Sequence, residues 1–243
     1  MKTNAFLAAA LLAAAASTAL AAPQLPADWD KTVSAVVTEP LRAERVVEGG
    51  RRFDAKRQAS LDAMKAANVE MKSAFVDRAS TEGNRRLSLN VFRDDRRKAT
   101  LAAVDTLLEM RGLVSAREWK EIWPKGYFEM PIPGQLLAEK VQAALPGVVA
   151  DPGRLKQAQD VAAGLLKAAK SDEAARKKSG GRLTGLLESY GSTRDEFIDL
   201  VNDLEKTQAK MDEALIGGSL KLQQVLTADE WAALVARVTT ATP

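Results

Sequence analysis

The sequence predicts an all-α fold of long antiparallel helical hairpins, present as a tandem duplication, and three observations carry that prediction. Val and Ile are scattered among Ala, Leu, Lys, Arg and Glu, the strong helix formers, and no strand pattern competes with the helical spacing of the apolar residues. Two stretches, Val114-Ser115-Ala116-Arg117-Glu118-Trp119 and Leu226-Thr227-Ala228-Asp229-Glu230-Trp231, place an aliphatic residue, a hydroxyl, a Glu three residues on and a Trp in one order. This is the pattern of a capping box, in which the hydroxyl accepts from the Glu backbone N–H and the carboxylate reaches back to the N–H of the cap. The two Trp residues stand 112 positions apart, and the same offset aligns Ser80 with Ser192, Thr81 with Thr193, Asn90 with Asn202, Lys98 with Lys210, Ala102 with Ala214 and Leu108 with Leu220.

The elements follow in order. Residues 1–21 read as a Sec-type secretory signal: Lys2 gives the positive start, Phe6 to Ala16 the apolar run, and Ala19-Leu20-Ala21 a small-x-small cleavage site before Ala22. The run is short for a membrane span and is soon followed by Pro23 and Pro26, so the mature chain is expected in the periplasm or outside, without a stable membrane span; an uncleaved anchor is the alternative. Residues 22–122 form the first helical repeat. Asp28 to Thr38 makes a short helix ended by Pro40, and a long helical stretch from Leu41 to Ala79 follows, with Gly49-Gly50 as a candidate break. Leu61, Met64, Val69, Met71, Phe75 and Val76 are its apolar positions. After a turn at Ser80 to Gly83, Arg85 to Gly112 carries Leu89, Phe92, Ala99, Ala103, Met110 and Leu113 on one stripe, interrupted by Arg96 and Thr106. Ser115 then caps a short helix that stops before Pro124.

Residues 123–134 are an aromatic, Pro-rich linker, and residues 135–243 the second helical repeat. Gln135 to Ala144 makes a helix stopped by Pro146-Gly147. Asp151-Pro152 opens the next one, which is expected to run toward Lys178, with a second segment from Leu183 to Tyr190 beyond Gly180-Gly181. Thr193 and Glu196 form a further capping box. The helix they open bears a coiled-coil seam, Phe197, Leu204, Met211, Gly218 and Val225 with Val201, Gln208, Leu215 and Leu222 between them, whose partner lies either within the chain or in a second subunit as a homodimer. Thr227 caps the last helix, Trp231 to Val238.

Composition narrows the chemistry. Without its signal the chain holds 34 basic and 32 acidic residues, and this near-neutral balance is unlike a dedicated nucleic-acid binder. Arg93 to Lys98, mixed in sign, reads as a solvated helix face. There is no Cys, so stability must come from apolar packing rather than disulfides even in an oxidising compartment. There is also no His, which removes the usual transition-metal ligand, the default general base near neutral pH and the base of ordinary nucleophilic triads. Glycine-rich phosphate loops do not occur, and no EF-hand-like loop is present. No catalytic, metal or cofactor-binding residue is therefore assigned.

Each conspicuous residue has a structural reading beside a functional one. Glu118 and Glu230 could serve as a pair of general acid/base residues, but a carboxylate bonded to a backbone N–H has its pKa pushed down, away from neutrality, so capping with Ser115 and Thr227 is favoured. Trp119 and Trp231 are read as core anchors sealing the box ends, against an exposed aromatic contact for a partner. Met71, Met110 and Met211 fall on apolar faces, and core packing is preferred over Cu(I) ligation. In the linker, Trp123, Tyr127, Phe128, Met130 and Ile132 either offer a partner-binding surface or fold back over the junction between the repeats.

The signal segment, the absence of disulfides and the paired boxes together resemble the Spy/CpxP-like periplasmic proteins, whose mark is a Leu-Thr-x-x-Gln box used twice. The second box here reads Leu226-Thr227-Ala228-Asp229-Glu230, with Glu at the Gln position; the first, Val114 to Glu118, departs at three positions. The resemblance implies an ATP-independent chaperone or envelope-stress modulator with a helical cradle, often dimeric. It implies no metal sensing here, because the metal-responsive relatives use His. The expected function is thus non-enzymatic binding of other polypeptides, with an architectural component pairing with one fixed partner, or an envelope hydrolase, as the alternatives.

Overall fold

The computed structural model describes residues 25, 27–123 and 133–240, and every regular element among them is helical, so the all-α expectation is met. In chain order these are α1 (Trp29–Val36), α2 (Pro40–Val76), α3 (Glu82–Arg111), α4 (Ala116–Ile122), α5 (Pro133–Ala144) with a 3-10 turn at Leu145–Gly147, α6 (Pro152–Glu188), α7 (Arg194–Val225) and α8 (Ala228–Thr240). The expected signal segment, and Tyr127, Phe128, Met130 and Ile132 of the linker, lie outside the described residues. No helix among the described residues is long and apolar enough to cross a membrane.

Local chemistry sets the helix starts. Pro40 and Pro152 open α2 and α6 at the first turn, where a missing N–H costs nothing, and Asp151 caps α6 by accepting from the Arg154 N–H at 2.7 Å. Thr81 caps α3 through the Asn84 N–H, and Thr193 with Glu196 makes a full capping box on α7. The 112-residue register recurs in three helix pairs, whereas α1 and α5 do not correspond under it. Both α2 and α6 have 37 residues, starting at 40 and 152, while α3 and α7 start at 82 and 194, and α4 and α8 at 116 and 228.

Several boundaries differ from expectation, three of them with a clear consequence. The helix α2 passes through Gly49-Gly50 without a break, and α6 through Gly180-Gly181. At the first pair the missing side chains make room: a Cβ on Gly50 would run into the Trp29 indole, and one on Gly49 would lie 2.6 Å from Met110 Cγ. The loss of helix propensity there is offset by close packing. The linker is shorter than expected at its far end, because α5 begins at Pro133.

The apolar residues gather into two cores, and each core draws on both halves of the chain. One holds the α5 to α8 residues Val141, Leu145, Ala162, Leu222, Trp231 and Val235, closed by Met71, Phe75, Leu89 and Phe92 from α2 and α3. The other holds Trp29, Val33, Phe53, Leu107, Met110, Trp119 and Ile122, closed by Leu183, Leu187, Phe197 and Leu200 from α6 and α7. The coiled-coil seam of α7 therefore finds its partners within the chain. Phe197, Val201, Gln208, Met211, Leu215 and Leu222 are buried, and so are Leu200, Asp212, Ile216 and Gln223 beside them, since α7 touches both α6 and α3. Val69, expected among the apolar positions of α2, is 65% exposed, together with Leu87 and Val91 of α3.

Candidate functional site

Both Trp-bearing boxes form. Ser115 Oγ accepts from the Glu118 N–H at 3.3 Å while the Ser115 N–H donates to Glu118 Oε2 at 2.7 Å, and Thr227 and Glu230 repeat the arrangement at 3.2 and 2.8 Å. Each Glu takes a second bond from the first turns of the long helix in its own half. Arg42 donates to both carboxylate oxygens of Glu118, at 2.6 and 3.2 Å, and Arg154 to Glu230 at 3.0 Å. The backbone N–H groups of Ser115 and Thr227, helped by these guanidiniums, hold both carboxyls below the usual range. Such carboxylates serve as fixed anions that tie α4 to α2 and α8 to α6.

The Trp residues of the boxes tie the halves to each other. Trp119 is 1% exposed and donates its indole N–H to the Leu187 carbonyl at the end of α6; Trp231, 7% exposed, donates to the Val76 carbonyl at the end of α2. Around each indole lies a matched set of bonds. Arg78 donates to the Leu226 carbonyl at 2.8 Å, and Tyr190, 112 positions on, donates its hydroxyl to the Val114 carbonyl at 2.7 Å. Gln223 Nε2 reaches the Asp77 carbonyl at 3.5 Å, and Arg111 Nη1 reaches the Ser189 carbonyl at 2.9 Å. In each pair the accepting carbonyls are equivalent while the donor side chains differ. Two reciprocal clasps result, in which each box end is closed by the turn of the opposite half.

Between the two cores lies a belt of charged and amide side chains. Along α3 the belt falls between Phe92 of one core and Ala103 of the other, and along α6 between Ala169 and Leu183. Asp172 accepts from Arg176 Nε at 2.6 Å, Arg176 donates to Gln208 Oε1, Gln208 donates to Asp212 Oδ1 at 2.9 Å, and Arg93 Nε lies 3.4 Å from Asp212 Oδ2. Arg96 packs its guanidinium over the Phe92 ring at 5.9 Å. Burial pushes the Asp212 carboxyl above the usual carboxylate range and the Arg96 guanidinium below its ordinary value. On either side of the belt, Arg97 pairs with Glu205 and donates to Asn202 at 2.9 Å, and Arg86 pairs with Glu213.

One broad groove opens on the first half, along α1, α2 and the end of α3. It has a volume of about 880 Å³, and Val37, Ala43, Val47 and Leu113 are the aliphatic part of its lining. Its rim carries both signs: Asp30, Glu44, Glu48 and Glu109 stand among Arg45, Arg51 and Arg52. Several of these charges are already paired across the rim, Arg51 with Asp30 at 2.6 Å and Arg52 with Glu109 at 2.9 Å.

The structure thus places Ser115, Glu118, Thr227 and Glu230 as caps and Trp119 and Trp231 as buried anchors. Trp123, read as either a partner contact or a residue folded back over the junction, is not an exposed partner contact but a core residue: it is 3% exposed, stacks on Trp119 at 5.1 Å and meets Trp29 edge-on at 6.4 Å. Burying three indoles against one another stabilises this end more than presenting one of them to water would allow. Met71, Met110 and Met211 are buried, as their apolar faces imply. Arg93 to Lys98 is not a solvated face: Arg96 is buried, and Arg93 and Arg97 reach α7. The signal for this was in the register, since Arg85 and Arg96 continue the four-three spacing of Leu89, Phe92, Ala99 and Ala103. Among the described residues no three His, Cys, Asp or Glu side chains are grouped to hold a metal ion. No protein-family model, curated protein or solved structure matches the chain.

Proposed function

We propose that this chain is a non-catalytic, exported protein of the cell envelope that holds an extended segment of another polypeptide, in the manner of an ATP-independent chaperone or stress modulator such as the Spy/CpxP-like proteins it resembles. The observation that carries this reading is the groove of about 880 Å³ whose lining mixes apolar side chains with charges of both signs. An unfolded segment offers apolar side chains at short intervals with charges of either sign between them, and such a groove favours neither sign. Exposed Leu87 and Val91, one turn apart on α3, add apolar surface outside the groove. The carboxylates of the boxes, held down by backbone N–H groups, support the non-catalytic part of the reading. The matched elements and clasps at an offset of 112 support descent of the two halves from one duplicated antiparallel hairpin.

The chain has no Cys, so a single introduced thiol can carry a photo-crosslinker. With the probe at Ser34→Cys on the groove, mature protein is expected to suppress aggregation of a reduced, unfolded client and to crosslink to it, while a probe at Asp229→Cys on α8 stays silent. No suppression at stoichiometric excess, or equal crosslinking from both positions, removes the proposal. Crosslinking in extracts to one stoichiometric protein alone would favour the architectural reading instead.

A further inference from the structure

We infer that the two halves of this chain are complementary subunits joined covalently, and that an arginine stripe on α3 facing a carboxylate stripe on α7 is the address by which they recognise each other. The inference rests on the duplicated-hairpin reading and extends it. Neither core closes within one half. The first half alone would leave Trp119, Met110 and Phe53 without Leu183, Leu187, Phe197 and Leu200, and the second would leave Trp231 and Leu222 without Met71, Phe75, Leu89 and Phe92. Each half would also lose the carbonyl that accepts from its indole N–H. A half cut from its partner would therefore expose the apolar side of a core together with buried polar groups, and both are costly.

Shape by itself would let a half pair with a copy of itself, because the elements correspond at an offset of 112 and Met71 and Phe75 stand where Leu183 and Leu187 stand. Charge decides against this. Arg86 meets Glu213, Arg93 meets Asp212 and Arg97 meets Glu205 across α3 and α7. Positions 86, 93 and 97 correspond to Ile198, Glu205 and Ala209, and positions 212 and 213 to Thr100 and Leu101. Two first halves would set Arg97 against the Arg93 of the copy, and two second halves would set Asp212 against the Glu205 of the copy, with every cross-pair gone. Like charges at a partly buried contact select against the wrong partner, so the stripes encode first half with second. Arg85 adds to the address: it is fully buried, donating to Ser219 Oγ at 2.6 Å and Gln223 Oε1 at 2.7 Å, and its counterpart is Phe197.

The test keeps the whole chain. A protease recognition sequence is inserted after Gly126, the full-length protein is folded and purified, and it is then cleaved. The two fragments are expected to stay together as a one-to-one complex with undiminished helicity, and to unfold together on dilution into denaturant. Separation of the fragments under native conditions, or a fragment that keeps its own cooperative transition after isolation, overturns the inference. The charge address is read in the same protein. Glu205→Arg with Glu213→Arg is expected to weaken fragment association about tenfold at low salt, and adding Arg86→Glu with Arg97→Glu is expected to restore most of it. If the reversal has no effect, or the second pair deepens the loss rather than repairing it, the address is rejected even where the fragments remain together.

Discussion

The indole nitrogen of Trp119 lies 2.8 Å from the carbonyl oxygen of Leu187, and this bond joins the box that ends the first half to the last turn of the long helix in the second. Its counterpart runs from Trp231 to Val76 at 3.1 Å. Both bonds pass between the halves, and the capping around them is matched in kind, so the two ends of the molecule can be perturbed separately and compared.

Trp119→Phe keeps an aromatic ring and removes the N–H, leaving the Leu187 carbonyl without its donor. The expected loss is about 1–3 kcal/mol, from one unsatisfied buried acceptor and a smaller ring. Trp119→Ala should cost about 3–5 kcal/mol through the cavity it opens against Trp123. Urea unfolding followed by circular dichroism measures both, and an alanine variant as stable as the native protein would contradict the clasp.

Removing a cap hydroxyl isolates the box from the indole. Ser115→Ala and Thr227→Ala are each expected to lower stability by about 1 kcal/mol. The cost should be similar at the two sites because the bond geometry is. A loss well above about 2 kcal/mol at either hydroxyl would mean that it does more than cap.

Acid should act through two opposed sets of carboxyls. Glu118, Glu196 and Glu230 have folded-state pKa values below the ordinary one, each chiefly through the backbone N–H of its cap. Their contribution is fully present above the unfolded value of about 4.3 and is lost as the pH falls through the folded values. Asp212 is shifted the other way by burial, so its ionisation opposes folding as the pH rises from the ordinary carboxylate value through its raised one. The Gln208 amide and the Arg93 and Arg96 guanidiniums moderate the effect, while the neighbouring Asp172 carboxylate adds to it. Glu118→Gln with Glu230→Gln should flatten the fall in stability below about pH 4.3. Asp212→Asn should instead gain on the native protein as the pH rises above that range. Parallel pH profiles for all three proteins would refute the assignment.

Two glycines should respond oppositely to the same change. Gly181→Ala, on an exposed face of α6 with nothing within 4 Å of the new methyl, should stabilise by up to about 1 kcal/mol. Gly50→Ala gains the same propensity but drives a methyl into the Trp29 indole, so a net loss of about 1–3 kcal/mol is expected. Thermal melts of the two variants side by side decide it.

Helix content and most helix ends were legible in the sequence because they depend on neighbours along the chain. The hydroxyl and Glu of each box, Asp151-Pro152, and the seven-residue spacing of Phe197, Leu204 and Met211 act within a turn or two, and the structure holds them where local chemistry puts them. Gly49-Gly50 and Gly180-Gly181 misled, since a glycine pair weakens an isolated helix by an amount that packing across the bundle can outweigh.

The groove and the pairings of the charged belt were not legible, because their residues come from separate elements and meet only in three dimensions; within the belt, only the burial of Arg96 could be read, from its place in the four-three register. Arg86 and Glu213 are 127 positions apart, and Arg93 to Lys98 is as mixed in sign as any solvated face. By itself the sequence determined that the chain is built of helices and where most of them begin, since both are fixed by propensity and capping at short range. Only the tertiary structure decided that each half completes the core of the other, because burying a Trp, an Arg or an Asp depends on which distant surface removes it from water.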